Sequence, residues 1–390
     1  MFKKSLIATA ILGVVASGAM AADVEVYGRI DTGFAYTHEK ETTNGTSVST
    51  DKFSMDSGNS TGSRWGLRGS EDLGDGLKVG FVLENGFSSD TGALGDSRLF
   101  NRESTLWIEG GFGRVYAGRM SGFMSDAGSV GFWGGLVSPF GTGWGNLAGH
   151  AAVMAGYETT RFDNAIAYVS PKFAGVTVYA MYGMGSNDEN ESTSDRYAAL
   201  GASYINGPVQ VAAVVDYLNK RSVGEGKFDG EENVQMNGFG DPDDAWTFNI
   251  GGAYDFEVAK VYGAVQYFKN AVDIGGIMSD DDDDTSSIFA HSYSSLDGFG
   301  VNIGADVPLA GGLFKVSAGY MDGEVNDILY AEDDGSDVEG YNIMAGYEYP
   351  FSKRTNVYVG AGYTKYKYEA TDETGKYEIF QAMFGLVHKF

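Results

Sequence analysis

Residues 380–390 read Phe380-Gln381-Ala382-Met383-Phe384-Gly385-Leu386-Val387-His388-Lys389-Phe390. Side chains of a strand point alternately to its two faces. Phe380, Ala382, Phe384, Leu386, His388 and Phe390 therefore share one face, and Gln381, Met383, Gly385, Val387 and Lys389 the other. One face is nearly all apolar and ends in aromatic rings. The other is mixed and small.

The same two-residue period recurs upstream. Trp246, Phe248, Ile250 and Tyr254 alternate with Thr247, Asn249, Gly251 and Asp255. Phe299, Val301, Ile303, Ala305 and Val307 alternate with Asn302, Gly304 and Asp306. Val357, Val359, Ala361 and Tyr363 alternate with Asn356, Tyr358, Gly360, Gly362 and Thr364. Each run lasts about ten residues, the length of a tilted strand that crosses a bilayer. Aromatic residues at the run ends match the girdles of a membrane barrel. A soluble sandwich also alternates, so the connections carry the distinction.

Those connections alternate in length. Short ones lie at 73–76, 110–113, 206–208, 308–312 and 350–354. Long ones lie at 39–62, 120–160, 186–194, 220–244, 272–296 and 325–340. Short turns at one end and long loops at the other predict an all-β fold, a 16-stranded antiparallel transmembrane β-barrel with periplasmic turns and extracellular loops. Predicted strand starts are Val24, Arg64, Gly76, Arg98, Gly113, Phe162, Val176, Arg196, Val209, Ala245, Ala259, Gly298, Leu313, Gly340, Thr355 and Tyr377. Sixteen strands leave room for an aqueous channel.

Composition agrees. Glycine supplies 58 of 390 residues, and Phe, Trp and Tyr supply 14%. Glycine at that level weakens helices. The 53 acids outnumber 27 Lys plus Arg, for a formal charge of −26. Nucleic acid is excluded as a partner, because phosphate binding needs clustered positive charge. The chain has no cysteine, which removes disulfide scaffolds and thiol chemistry. His38, His150, His291 and His388 sit in no catalytic or metal motif, so neither an enzyme nor a cofactor is expected. Asp280–Asp284 is an acid run whose spacing matches no calcium loop, and it reads as solvated.

The N-terminus sets the compartment. Lys3 and Lys4 precede an apolar run from Leu6 to Val15, and Ala19-Met20-Ala21 is a small-x-small cleavage site. This is the pattern of a secretory signal peptide over residues 1–21, leaving one barrel domain over 22–390. Cleavage removes two lysines and no acid, so −26 becomes −28.

Several stretches resemble the Gram-negative general porins of the beta-proteobacterial type. They are Val26-Tyr27-Gly28-Arg29-Ile30-Asp31-Thr32-Gly33, Ser63-Arg64-Trp65-Gly66-Leu67-Arg68-Gly69-Ser70-Glu71-Asp72-Leu73-Gly74, Gly110-Gly111-Phe112-Gly113 and Arg161-Phe162-Asp163-Asn164-Ala165-Ile166-Ala167-Tyr168 followed by Ser170-Pro171. The terminal Phe390 is similar to the aromatic ending read by outer-membrane assembly machinery. The resemblance implies a homotrimer in the Gram-negative outer membrane, in contact with its lipid and lipopolysaccharide. It implies passive passage of ions and small hydrophilic solutes. It also implies a third loop, about Met120 to Thr160, folded inward to narrow the pore. Basic wall residues would face acids on that loop.

The residues permit candidates for that constriction. Arg64 and Arg68 share a face opposite Trp65 and Leu67, and Lys78 opposes Val79 and Phe81. An arginine against hydrocarbon costs about 2–4 kcal/mol, which directs these groups to the lumen. Arg29, Arg102, Arg119 and Arg161 join them as basic candidates, with Asp126 and Glu158 as the acids. Between those two acids the loop has none, and holds Phe132, Trp133, Phe140 and Trp144 instead. These rings either anchor the loop to the wall or form a stacking path for sugars, the reading of a solute-specific channel. A non-channel secreted sandwich or adhesin is the third class. Acid-rich loops predict cation preference through local enrichment, with the basic ladder acting against it.

Overall fold

The computed structural model describes residues 23–95, 98–144, 161–184, 196–219, 244–271, 294–327, 336–369 and 374–390. The signal segment 1–21, Glu158, His150, His291 and Asp280–Asp284 lie outside them.

Seventeen strands form one sheet: β1 Asp23–Thr43, β2 Thr46–Ser57, β3 Arg64–Gly74, β4 Leu77–Gly86, β5 Glu103–Gly110, β6 Gly113–Ser121, β7 Arg161–Val169, β8 Val176–Gly183, β9 Arg196–Asn206, β10 Val209–Asn219, β11 Ala245–Asp255, β12 Lys260–Ala271, β13 Ser294–Leu309, β14 Gly312–Asp327, β15 Ser336–Pro350, β16 Thr355–Glu369 and β17 Thr374–Lys389. Neighbours in sequence pair antiparallel from β3 to β17. The turns suit the twist. Between β13 and β14, Ala310 and Gly311 both have positive φ, 48° and 82°, the backbone of a type I′ hairpin.

The sheet closes where β1 meets β17, in register from Arg29↔Lys389 to Thr43↔Gly375. The other edge of β1 is shared. Its loop-end half pairs with β2 from Thr32↔Ser57 to Thr43↔Thr46, and its first residues pair with β3 from Asp23↔Ser70 to Arg29↔Arg64. β2 and β3 thus occupy one place in the wall, and the barrel is 16-stranded with one extra strand. The segment expected as a long loop at 39–62 is mostly hairpin. Its β2 is exposed on both faces over Thr46–Phe53, so no buried row imposed an apolar alternation there. The fourth predicted strand also begins later, at Glu103 rather than Arg98.

The chain departs from the wall only between β2 and β3. Gly58, with φ of 79°, starts that inward turn. The Ser60 and Thr61 amides both donate to Asp31 Oδ2 at 2.8 Å, and Tyr358 Oη donates to Asp31 Oδ1 at 2.6 Å. Asp31 and Asn59 are fully buried.

Around the wall the two faces differ as alternation requires. Ile250, Ile303, Ile343, Val359 and Phe384 are exposed outward, while Asn249, Asn342 and Thr364 are buried inward. A soluble monomer rarely exposes so much contiguous apolar surface. Lipid is the solvent that such a band requires.

Candidate functional site: a constriction inside the barrel

The chain after β6 does not leave the barrel. It turns inward and carries a short helix, α1, Trp133–Val137. Phe132 stacks on Tyr179 of β8 with centroids 3.9 Å apart. Trp144 meets Tyr358 of β16 edge-on at 5.4 Å, and Phe140 meets Trp144 at the same distance. Trp133, Phe140 and Trp144 are buried, and Phe132 is partly so. The rings are therefore committed to the wall, which is the anchoring role. They offer no open stacking path, so the sugar-specific alternative is not favoured.

The seat for these rings is made of glycine. A Cβ on Gly201 would stand 2.7 Å from Phe132, one on Gly251 2.9 Å from Val137, and one on Gly304 2.7 Å from Pro139. Cβ atoms on Gly346 and Gly360 would stand 2.9 Å and 2.7 Å from Trp144. All five occupy lumen-facing positions of β9, β11, β13, β15 and β16. Sequence reasoning placed three of them on the inner face without seeing their purpose. The available signal was glycine where the alternation calls for a lumen side chain.

Polar ties complete the docking. Lys315 Nζ donates to the Pro139 carbonyl at 2.6 Å, and the Trp144 amide donates to the Ser60 carbonyl at 2.9 Å. Glu103, buried on β5, accepts from the Ser129 amide at 3.0 Å and from Thr105 at 2.8 Å. Thr142 donates to Asp126 across the loop.

Opposite the loop stands a basic wall. Arg29 Nη1 donates to Thr61 Oγ1 at 3.1 Å, and Arg64 Nη2 donates to the same oxygen at 2.8 Å. Arg102 Nε donates to Glu84 Oε1 at 2.7 Å, while Arg64 lies 3.7 Å from that oxygen. Tyr27 donates to the other Glu84 oxygen at 3.0 Å. Arg161 Nε donates to the Arg102 carbonyl at 3.0 Å. Loop and wall enclose a cavity of about 560 Å³. Arg29, Arg64, Arg102, Arg161, Lys315 and Lys389 line it, against Asp126, Asp306 and Glu348.

The structure thus brings Arg29, Arg64, Arg102, Arg161 and Asp126 together. It leaves three basic candidates elsewhere. Arg68 lies toward the short-turn rim, 2.7 Å from Glu25 and 4.8 Å from the Tyr27 ring centroid. Lys78 is exposed beside the β3–β4 turn. Arg119 donates to Asp163 at 2.7 Å and to the Asn101 carbonyl at 2.7 Å. Alternation assigns a face to these groups and says nothing of their height along it. Phe390 lies at the seam, where its amide and carbonyl pair with Gly28 at 3.1 and 3.2 Å. Glu84, Asp31, Thr61, Lys315 and Lys389 were not foreseen. Their partners are distant in sequence.

The family model for Gram-negative porins matches residues 8–369. An outer membrane porin protein of Bordetella pertussis is 32% identical over 93% of this chain and 94% of that one. Outer membrane porin protein 32 of Delftia acidovorans is 30% identical over 95% and 91%. Among solved structures, the anion-selective porin from Comamonas acidovorans superposes with a TM-score of 0.63 at 23% identity, over 95% of this chain and all of that one. The trimer form of OmpT of Vibrio cholerae superposes with a TM-score of 0.56 at 17% identity, over 95% and 100%. The closed barrel, the inward loop and these relatives together establish that the chain belongs to the Gram-negative porin family and forms a water-filled outer-membrane channel for passive diffusion of ions and small hydrophilic solutes.

Proposed function

We propose that this channel admits solutes by size and charge alone and prefers anions. The carrying observation is the charge balance of the constriction, where six basic side chains line the cavity against three acidic ones. Glu84 offsets part of the excess through Arg64 and Arg102. Acid-rich loops, which by themselves favour cations, act across bulk electrolyte that screens charge over about 8–10 Å. An ion in the narrow section passes the arginines within a few ångströms, so their sign prevails. The Comamonas relative is described as anion-selective, which supports this reading.

The test is a reversal potential across a planar bilayer in a salt gradient. Anion preference is expected. A cation-selective potential refutes the proposal.

We further propose that the protein is a homotrimer, a reading supported by the trimer form of OmpT. Its export would follow cleavage after Ala21, its assembly would use the Phe390 end, and its apolar belt would contact membrane lipid and lipopolysaccharide. Short turns would face the periplasm and long loops the exterior. A heat-modifiable trimer on gels and an N-terminus at Ala22 are the expected observations.

A further inference from the structure

The outward face of β7–β11 carries a depression that the channel does not use. In register across the wall run Ile166, Tyr182, Ala198, Tyr217 and Trp246. Ala198 is the one small side chain in that row, flanked by the Tyr182 and Tyr217 rings. Ala180, in register with Leu200, extends the depression toward the short-turn end. The result is a slot of about 580 Å³ in the outer wall, lined almost wholly by carbon. It lies inside the apolar belt, so its solvent is hydrocarbon.

The loop-end rim above the slot is cationic. Arg196 precedes Ala198 by two residues on β9 and points outward on the same face. Lys269 is in register with Trp246 on β12 and is also exposed. Among the described residues neither has a side-chain hydrogen bond or ion pair. The rim acid Asp244 accepts from Tyr217 at 2.5 Å and Asn219 at 2.7 Å instead. Three strand spacings separate β9 from β12, so the two cations stand roughly 15 Å apart.

We infer that this slot and rim form a binding site for lipid A, the anchor of lipopolysaccharide. One acyl chain fills the slot over Ala198 and Ala180, and two phosphates on the headgroup meet Arg196 and Lys269. The inference rests on the reading that the loop end faces the outer leaflet. Two separated cations suit a head that carries two separated phosphates, and a single-phosphate glycerolipid reaches one of them. The slot supplies shape for a straight chain, and the rim supplies charge-assisted contacts.

The test uses the full mature protein in detergent, titrated with purified lipid A or phosphatidylglycerol and read by native mass spectrometry. Wild type is expected to retain lipid A preferentially. R196E and K269E each weaken retention by at least fivefold, the effect of about 1 kcal/mol per surface cation. A198F fills the slot and abolishes it. R196E and K269E keep a slot that A198F disturbs, so they decide the matter if A198F fails to fold. Equal retention by all variants overturns the site. Equal retention of phosphatidylglycerol overturns the choice of lipid A. Single-channel conductance separates this from the channel reading, because the outward variants leave the pore lining untouched. Normal conductance without lipid A retention refutes the site alone, whereas insertion with the long loops facing the inner leaflet removes its premise.

Discussion

Replacing Trp144 with alanine should unseat the constriction loop while leaving the barrel closed. The indole is 3% exposed, lies edge-on to Tyr358 at 5.4 Å and rests on the bare backbones of Gly346 and Gly360. Truncating a buried aromatic of this kind costs about 3–5 kcal/mol. Here that loss falls on loop docking, because no strand pairing involves residue 144. A change of 3 kcal/mol alters the docked-to-undocked ratio by roughly two orders of magnitude. The Lys315–Pro139 and Trp144–Ser60 bonds use backbone acceptors or donors and survive the substitution. The loop therefore samples undocked states rather than leaving altogether. In planar-bilayer recordings the variant should show larger mean conductance and open-channel noise, with unchanged heat-modifiable migration. G360V attacks the same contact from the wall, since a Cβ there would lie 2.7 Å from the ring, and should reproduce the noise. Wild-type conductance and noise in both variants would refute the claim that this contact holds the constriction.

Other outcomes follow from named contacts. Arg64→Gln or Arg102→Gln should lower anion preference, by roughly twofold per residue, since one charge about 8 Å from a passing ion in water contributes about 0.5 kcal/mol; reversal potentials measure this. Asp31→Asn leaves donors of the Ser60–Thr61 turn or Tyr358 unmet, at a cost of about 1–3 kcal/mol for each buried group. It should lower the temperature at which the oligomer dissociates on gels. Phe390→Ser keeps the backbone pairing with Gly28 and removes the terminal ring. It should reduce the folded fraction in the outer membrane while leaving the conductance of the channels that do assemble unchanged.

The strand faces were legible because alternation is local. Phe384 outward and Met383 inward follow from chain geometry once a strand is assigned, and both positions agree with the structure. The same rule put Arg64 in the lumen. It placed Arg68 there too, but could not show that Arg68 stands at the rim beside Glu25, because a two-residue period carries no coordinate along the barrel axis. The β2 hairpin escaped notice for the opposite reason: a strand exposed on both faces has no apolar row to reveal it.

By itself, the sequence determined that this chain is an exported, alternating, Gly- and aromatic-rich barrel of sixteen strand positions whose third loop is poor in acid and rich in rings. Only the tertiary structure decided what those rings do. They pack on glycines from β9 to β16, residues separated from them by tens to more than two hundred positions. The constriction likewise joins Pro139 to Lys315 and Asp31 to Tyr358. Such contacts depend on barrel closure and on height in the lumen, which arise from the whole set of strand registers. A short stretch of sequence encodes its own face and length, and the pore exists only where distant faces meet.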